Sequence, residues 1–173
     1  MLDVAGESRD KRAMRILLLA TAALIATPLA AQDAVEDNIS AERLRGDVET
    51  LVGFGTRHTL SSQTDPERGI GAAVDWGLAE FERISASCGG CLEVVAPETT
   101  VEGRRIPTPT RLRNAVAIQR GIERPNEVVI IQGHIDSRVT DPLDAESDAP
   151  GANDDGSGTA LTIEAARVLT GKR

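Results

Sequence analysis

The chain has 173 residues, a length typical of one domain, and a formal net charge of −8 at pH 7. Its acidic residues are spread along the chain, and binding of nucleic acid requires a basic face, so nucleic acid is excluded as an expected partner. Phe54, Trp76 and Phe81 are the only aromatic residues, so the core must be built mainly from aliphatic side chains.

The first 31 residues have the pattern of a secretory signal peptide. An apolar run at 16–25 follows three basic residues, Lys11, Arg12 and Arg15. Small residues then lead to Ala31, an exit typical of a cleaved export signal, and the run is too short for a stable membrane anchor. A buried core helix is the alternative, but no polar face or cap accompanies the run. We expect 1–31 to be removed, with Met14 as a candidate true start, and the protein to be periplasmic or extracellular.

Two helices are predicted after this region. The polar stretch 32–39 is expected to be a flexible lead-in, and apolar residues then recur at helical spacing behind Ser40, a suitable N-cap. Glycines at 53 and 55 end that first helix. Asp65 followed by proline predicts the start of a second helix over 66–84. Its apolar residues form one stripe, namely Ile70, Val74, Leu78, Phe81 and Ile84.

The middle of the chain has the patterns of strands. A short strand is predicted at 92–95, and the connection 97–109, rich in proline and glycine, holds at most an edge strand. Alternation of apolar residues predicts a half-buried strand at 112–118. The continuous apolar run 128–131 predicts a central strand covered on both faces.

A last helix is predicted over 159–169, with Gly171 as its stop. Its inward-facing residues are expected to be Leu161, Ala165 and Val168. Strands interleaved with helices favour a three-layer α/β architecture.

Cys88 and Cys91 are the only cysteines, and in an exported protein they predict a small local disulfide. A zinc site would need two further soft ligands, and the chain has no second cysteine pair. Redox chemistry and free thiols are the alternatives. A redox pair of the thioredoxin type would lie at a strand-to-helix junction, whereas this pair lies between a helix and a strand.

His134 directly follows the predicted strand 128–131, where ligands of open α/β sheets are expected to bind. Asp136 is two residues further on and so points to the same side of an extended chain. A carboxylate there can accept the second imidazole N–H, as metal-bound histidines require. A core histidine hydrogen-bonded to a nearby acid is the alternative interpretation.

The segment 149–158 (APGANDDGSG) brings two adjacent carboxylates, Asp154 and Asp155, into a glycine-rich loop before a helix. Adjacent carboxylates repel each other and are costly in a site unless a cation neutralises them. A solvated turn, with Asp155 or Ser157 as a cap, is the alternative. A calcium loop of the EF-hand type is excluded, because its first and twelfth positions would be Gly151 and Thr162 in place of carboxylates.

The two segments 133–137 (GHIDS) and 149–158 together resemble the paired metal motifs of zinc-dependent aminopeptidases of metallopeptidase family twenty-eight, of the aminopeptidase S and Y type. Residues 56–59 (TRHT) and the helix at 66–84 are similar to the opening region of that family. The similarity runs from about residue 40 to the end. It implies a three-layer α/β/α zinc-exopeptidase fold, of the phosphorylase/hydrolase-like type, with a mostly parallel or mixed central sheet.

By this resemblance, His134 binds one zinc ion and Asp136 accepts a hydrogen bond from its other nitrogen. Asp154 bridges two zinc ions, and the peptide bond between Asp154 and Asp155 is cis. The implied reaction is hydrolysis of N-terminal residues from peptides, with a metal-activated water as the nucleophile.

The family's general base belongs to a Glu-Glu pair that follows the next strand, and a further acid and a final histidine complete its site. The sequence has no counterpart of these residues after Asp154. His58, the other histidine, matches no ligand position and is expected to be structural or on the surface, and Glu164 does not resemble the Glu-Glu motif. We therefore expect 40–173 to be the N-terminal part of a zinc peptidase domain, inactive by itself.

Two other functions share these motifs. One is a related amide-processing enzyme, such as a glutaminyl cyclase or a carboxypeptidase, whose substrate pocket would differ. The other is a metal-binding or receptor-like domain without catalysis. The oligomeric state is not indicated by any pattern in the sequence.

Overall fold

The computed structural model describes residues 35–170. The predicted signal peptide at 1–31, the candidate start Met14 and the predicted helix stop Gly171 lie outside the described residues. In the predicted lead-in, Val35–Asn38 form a short 3₁₀ helix. Within the described range, no helix is both long enough and apolar enough to cross a membrane.

Helix α1 covers Ala41–Gly53 and begins at the predicted cap. The Ser40 hydroxyl oxygen accepts a hydrogen bond from the Arg43 backbone N–H at 3.2 Å, so Ser40 is confirmed as the N-cap. The helix buries Leu51 completely. The chain leaves it through Gly55, whose φ of 70° is in the left-handed region that glycine adopts without strain.

Helix α2 covers Gly69–Ser87, three residues later than predicted at each end. Asp65 does not start it, because its Oδ1 accepts from the backbone N–H groups of Glu67 and Arg68 and closes a separate turn. Arg68 is then extended (φ −141°, ψ 146°) and Gly69 has φ 94°, so the turn cannot continue into the helix. Four residues of the predicted stripe are buried, namely Ile70, Val74, Phe81 and Ile84.

Four strands form two small antiparallel sheets. Strand β1 (Glu93–Val95) pairs with β4 (Val116–Ile118), and β2 (Glu98–Gly103) pairs with β3 (Ile106–Arg113). The segment 97–109, predicted as a connection that could hold an edge strand, therefore forms most of a hairpin.

The single strand predicted at 112–118 is divided between two sheets. Its first residues belong to β3 and pair with β2, whereas its last residues form β4 and pair with β1. Between them, the Asn114 backbone N–H donates to the Pro97 carbonyl at 3.1 Å. The prediction of one strand was wrong because the segment changes its pairing partner in the middle.

The apolar run 128–131 is not a strand in this structure. Its four side chains, in chain order, are 80%, 89%, 75% and 46% exposed. A strand requires ladder hydrogen bonds to a neighbouring segment, and no described residues pair with this run. The prediction of a buried central strand was therefore wrong here, and the two described sheets are antiparallel rather than parallel or mixed.

Helix α3 covers Ser157–Leu169 and presents a different face to the core than predicted. Leu161 is 55% exposed, whereas Ala160, Ile163 and Glu164 are buried. Burial of Glu164 is possible because its carboxylate accepts hydrogen bonds from Arg167 and from the Ser40 backbone N–H. The hydrogen bond from Arg167 is the main reason why the pKa of Glu164 is lowered, and it outweighs the rise that burial alone would cause.

The largest apolar cluster is formed by Phe81 and Ile84 of α2 with Ile163 of α3. Side chains of β1 and β4, among them Val94 and Ala117, pack against this cluster from the sheet side. A disulfide joins Cys88 and Cys91 in the connection between α2 and β1. The cluster fixes the position of α3, and the segment 149–158 leads directly into the first turn of this helix.

Candidate metal half-site

His134 stands between two carboxylates. Its Nδ1 lies 3.3 Å from Asp136 Oδ1 and 3.2 Å from the Asp136 carbonyl oxygen, and its Nε2 lies 3.2 Å from Asp154 Oδ1. The motifs 133–137 and 149–158 are separated in the sequence, and the structure brings together the three residues that they supplied as candidates. All three side chains are accessible to solvent, and Asp154 is the most exposed of them.

The donor set fits a metal ion. When Nδ1 donates its proton to Asp136, Nε2 carries a lone pair that faces Asp154 Oδ1, another acceptor, at 3.2 Å. Two acceptors at this distance require a proton or a cation between them. Two ligands of one tetrahedral zinc, each about 2.0–2.1 Å from the ion, are about 3.3 Å apart. The imidazole and the carboxylate thus have the spacing of neighbouring ligands before any ion is present.

The site is a half-site within the described residues. No group of three or more His, Cys, Asp or Glu side chains in the range 35–170 is arranged to hold a metal ion. His134 and Asp154 therefore supply two ligands, and Asp136 supports the imidazole from the other side. Such a pair can recruit a cation, but it does not complete a tetrahedral shell.

The sequence offered Asp155 as a helix cap, but it did not indicate that this residue also connects the two motifs. One of its carboxylate oxygens accepts from the His134 backbone N–H at 3.0 Å, and the other accepts from the Gly158 backbone N–H at 3.1 Å. It thereby caps the first turn of α3 and holds the histidine segment at the same time. The Asp154–Asp155 peptide bond is cis in the structure, and both residues have non-helical backbone angles inside the turn Ala152–Gly156.

The two motifs touch through their backbones at a pair of glycines. A Cβ atom at Gly133 would lie 2.5 Å from the carbonyl carbon of Gly158, and a Cβ atom at Gly158 would lie 2.3 Å from Asp155 Oδ1. Neither position can hold a larger residue without moving backbone or the capping carboxylate. This close approach brings His134 within reach of Asp154.

Arg57 lies behind the half-site and is completely buried. Its guanidinium donates to backbone carbonyls of α1, of the 133–137 segment and of the 149–158 segment. Burial lowers the pKa of Arg57, and the nearby Asp136 carboxylate opposes that shift. Sequence reasoning used Arg57 only as part of a family resemblance, because hydrogen bonds to carbonyl groups leave no trace in residue types.

His58 is a structural residue, as one of the two sequence alternatives proposed. It is buried, its Nδ1 accepts from the Leu60 backbone N–H at 3.0 Å, and its Nε2 lies 3.2 Å from the Pro142 carbonyl oxygen. Because Nδ1 accepts, Nε2 carries the proton and donates it to Pro142. Both ring nitrogens are thus engaged within the protein, and neither is available to a metal ion.

A cavity of about 480 Å³ adjoins the half-site. His134 and Asp136 lie along its lining, while Val74, Phe81 and Ile163 contribute apolar side chains to it. A polar group held at the half-site would therefore have an apolar recess beside it, a combination common in binding sites for small ligands.

Comparisons with known proteins relate the chain to metallopeptidases. The model of Peptidase family M28 matches residues 114–173, which include both motifs. A probable zinc metalloprotease of Pyricularia oryzae is 50% identical over 137 residues, which cover 78% of this chain and 27% of the relative. One from Leptosphaeria maculans is 48% identical over 141 residues, covering 81% of this chain and 33% of the relative. The chain thus spans between 27% and 33% of the length of these two relatives.

Proposed function

Because the chain belongs to peptidase family M28, we propose that it forms part of a zinc metallopeptidase in which His134 and Asp154 hold the metal. The observation that carries this proposal is the 3.2 Å separation between His134 Nε2 and Asp154 Oδ1. The names of the relatives, which are called zinc metalloproteases, support the choice of ion.

Each residue of the half-site has a distinct task in this proposal. Asp136 accepts the Nδ1 proton of His134, which keeps the Nε2 lone pair directed at the ion and raises its basicity. Asp154 supplies an anionic oxygen that compensates the charge of the cation. When bound, zinc lowers the pKa of a coordinated water and polarises a peptide carbonyl, which is the chemistry that peptide hydrolysis needs.

The finer parts of the proposal concern the number of ions and the substrate. Two zinc ions would be held in the whole protein, and Asp154, whose side chain is 91% exposed, would help to hold both. The substrate of the whole protein is the free N-terminus of a peptide, which makes it an aminopeptidase. The three-layer α/β/α architecture belongs to the same proposal, because the two motifs lie in the region that matches a peptidase family with an α/β fold.

The experiment uses the protein as its host produces it, with His134→Ala and Asp154→Ala variants. We expect each substitution to abolish zinc binding and hydrolysis of an aminoacyl anilide, because each removes a ligand. Asp148→Ala is the matched control, since Asp148 is an exposed loop acid that pairs with Arg68 instead of His134. Full activity in either ligand variant, or equal loss in the control, contradicts the assignment of the site.

Substrate analogues separate the aminopeptidase from the related activities. An aminopeptidase hydrolyses the anilide only when its amino group is free, so the N-acetylated anilide should be inert. Release of ammonia from an N-terminal glutaminyl peptide would instead indicate a glutaminyl cyclase. Zinc binding without turnover of any of these substrates would indicate a metal-binding domain.

The 173-residue chain alone is proposed to be inactive. Its described residues bring two ligands together and no third, so we expect weak zinc affinity and no hydrolysis of the aminoacyl anilide. Isothermal titration of the purified chain with Zn²⁺ measures this directly. Tight binding of two equivalents would refute the proposal of an incomplete site.

The protein is proposed to be exported, which is supported by the basic, apolar and small-residue pattern of 11–31 and by the Cys88–Cys91 disulfide. N-terminal sequencing of the protein recovered from outside the cytoplasm should begin near Gln32. Recovery only from the cytoplasm, with 14–31 still attached, would refute export.

A further inference from the structure

The Arg57 side chain touches both motifs of the half-site and helix α1 at once. Its Nε donates to the Ile135 carbonyl at 2.7 Å. Nη1 donates to the carbonyls of Leu51 at 2.8 Å and Pro150 at 2.9 Å, and Nη2 donates to that of Gly151 at 3.1 Å. Four backbone carbonyls from three separate segments therefore converge on one guanidinium.

Three of the four carbonyls that accept from Arg57 lie close in the chain to His134 or Asp154. Ile135 lies between His134 and Asp136, so its carbonyl fixes the peptide that joins the metal ligand to its supporting acid. Pro150 and Gly151 open the turn that leads to Asp154. Each motif is thus held by its backbone, close to the ligand but without contact to the ligating atoms.

The third anchor makes the arrangement rigid. Leu51 is fully buried in α1, so its carbonyl provides a fixed reference for the guanidinium. The Arg57 backbone strengthens the link, because its N–H donates to Ser137 Oγ at 3.1 Å and its carbonyl accepts from the Ser137 N–H at 3.3 Å. Ser137 Oγ in turn donates to the Ala149 carbonyl at 2.6 Å, which joins the two motifs a second time.

Only arginine can make these contacts. Its planar guanidinium has five N–H donors in a fixed arrangement, whereas lysine has three donors on one nitrogen and cannot reach carbonyls on opposite sides. No carboxylate within 35–170 forms an ion pair with Arg57, so carbonyl dipoles solvate the charge. A buried charge is expensive, and an apolar side chain would pack the same space at lower cost. The guanidinium is therefore more than a filler of the core.

We propose that Arg57 is a positioning residue that sets the separation between His134 and Asp154 before a metal ion binds. The inference rests on the proposed function in that these two residues are taken as metal ligands. The hydrogen bonds of Arg57 hold both ligand-bearing segments against α1, so the ligands do not have to be ordered by the ion. Pre-ordering of this kind increases affinity because less conformational freedom is lost on binding.

The first test compares Arg57→Lys with Ile84→Ala in the full 173-residue chain without metal. The lysine keeps the positive charge and removes the multiple hydrogen bonds, while Ile84→Ala weakens the apolar cluster away from the site. Amide hydrogen exchange is followed at His134, whose N–H bonds Asp155, and at Ala149, whose N–H bonds the Gly55 carbonyl.

We expect Arg57→Lys to lower protection at these two amides about 10-fold or more relative to the amides of α2. Ile84→Ala should lower protection in α2 at least as much as at the two reporters. Equal loss throughout the Arg57→Lys chain would mean that Arg57 only stabilises the fold, and the proposal would be overturned.

A second measurement needs no folded variant. In the unsubstituted chain, the Arg57 Nε–H should exchange slowly with solvent, and its resonance should shift together with those of His134 when Zn²⁺ is added. Exchange at the rate of a free arginine, or a zinc-induced shift at His134 that leaves Arg57 unmoved, would overturn the proposal.

Zinc affinity separates this inference from the proposed function. Competition with a chromophoric chelator, measured on the protein as its host produces it, should give an affinity about 10- to 100-fold lower for Arg57→Lys, with little change for Ile84→Ala. If the unsubstituted host protein binds no zinc, the metal assignment fails, while slow Nε–H exchange still decides whether Arg57 holds the two segments. If the unsubstituted protein and both variants bind zinc equally, the metal assignment stands and the positioning role fails.

Discussion

Arg57 contacts the residue that follows His134, the apolar run 128–131 lies shortly before His134 in the chain, and each has the burial expected of the other. The charged Arg57 is 0% exposed, whereas Val129 in the apolar run is 89% exposed. Arg57 is buried because its side-chain donors find four carbonyl acceptors. The run 128–131 stays exposed because its backbone finds no partner strand among the described residues.

This difference teaches that hydrogen-bond partners, as much as hydrophobicity, decide which segments are buried in this chain. Burying backbone groups without partners costs more than the burial of a few aliphatic side chains can return. Around the half-site, polar contacts should therefore provide most of the stability. In the cluster formed by α2, α3 and the sheet of β1 and β4, apolar packing should provide most of it.

The largest expected effect comes from removing one side chain in each of the two regions and comparing the losses of stability. Arg57→Ala should lower the free energy of unfolding by on the order of 4 kcal/mol, because four backbone carbonyls lose the buried side chain that donates to them. Val129→Ser, a loss of an exposed apolar side chain, should change it by less than about 0.5 kcal/mol. Urea denaturation of both variants measures the two values. Losses of similar size in the two variants would contradict the contrast drawn between the two regions.

The apolar cluster should respond to size in the ordinary way, which sharpens the contrast with the half-site. Ile163→Ala should cost about 3 kcal/mol, since Ile163 is buried between Phe81 and Ile84. Leu161→Ala on the same helix is the matched control and should cost less than about 0.5 kcal/mol, because Leu161 is exposed. A larger loss of stability for Leu161→Ala than for Ile163→Ala would mean that the face of α3 predicted from the sequence, with Leu161 inward, is the buried one.

The disulfide tests how much the connection from α2 to β1 contributes. Cys88 and Cys91 have a sequence separation of only 3, so the closed loop is short. The double variant with serine at both positions should lose about 2 kcal/mol by the loop-entropy relation. The unfolding midpoint of the unsubstituted chain should fall on addition of a reductant, and that of the double variant should not change. An equal fall of the unfolding midpoint in both chains would show that the disulfide is not the source of the lost stability.

Asp47 of α1 provides the smallest expected effect and the exception to the rule drawn from Arg57. It is buried, and its Oδ2 has no hydrogen-bond partner among the described residues. Burial, and then the charge of Glu80, raises the pKa of Asp47. Because the folded pKa is above the unfolded one, ionisation of Asp47 costs stability at neutral pH, and this cost disappears as the pH falls.

The variant Asp47→Asn should therefore raise the free energy of unfolding at pH 7, by up to about 1 kcal/mol. Its advantage should shrink as the pH falls through the folded pKa and should vanish only below the unfolded pKa of about 3.9, where Asp47 is protonated in both states. Urea denaturation at several pH values measures this difference. A difference that does not change with pH would show that ionisation is not its cause.

Local sequence patterns predicted the parts of the fold that depend on neighbouring residues. Ser40 caps α1 as expected, and the stripe of α2 is buried almost as predicted, because both depend on contacts within one helix and one apolar face. The hairpin of β2 and β3 and the division of 112–118 could not be predicted, because pairing depends on distant segments. The face of α3 was mispredicted because Glu164 has ion-pair partners far away in the sequence.

The candidate site shows the same limit. The residue types of His134, Asp136 and Asp154 indicate metal chemistry, and the structure brings their side chains together. A helix cap at Asp155 was one of the alternatives that the sequence offered, but its contact with the His134 backbone and the contacts of Arg57 could not be inferred, because they involve backbone groups of distant segments. A side chain that bonds the backbone of a distant segment is recognised only from coordinates.

The contact between Gly133 and Gly158 has a consequence for the engineering of this protein. A single methyl group at either position would collide with backbone or with the capping carboxylate, although neither glycine has a functional group. Libraries that diversify the cavity walls should therefore leave both glycine codons constant, together with those of His134 and Asp154. The tolerance of the half-site to mutation is thus set by an absence of side-chain volume, and one added carbon should disable it as surely as the loss of a ligand.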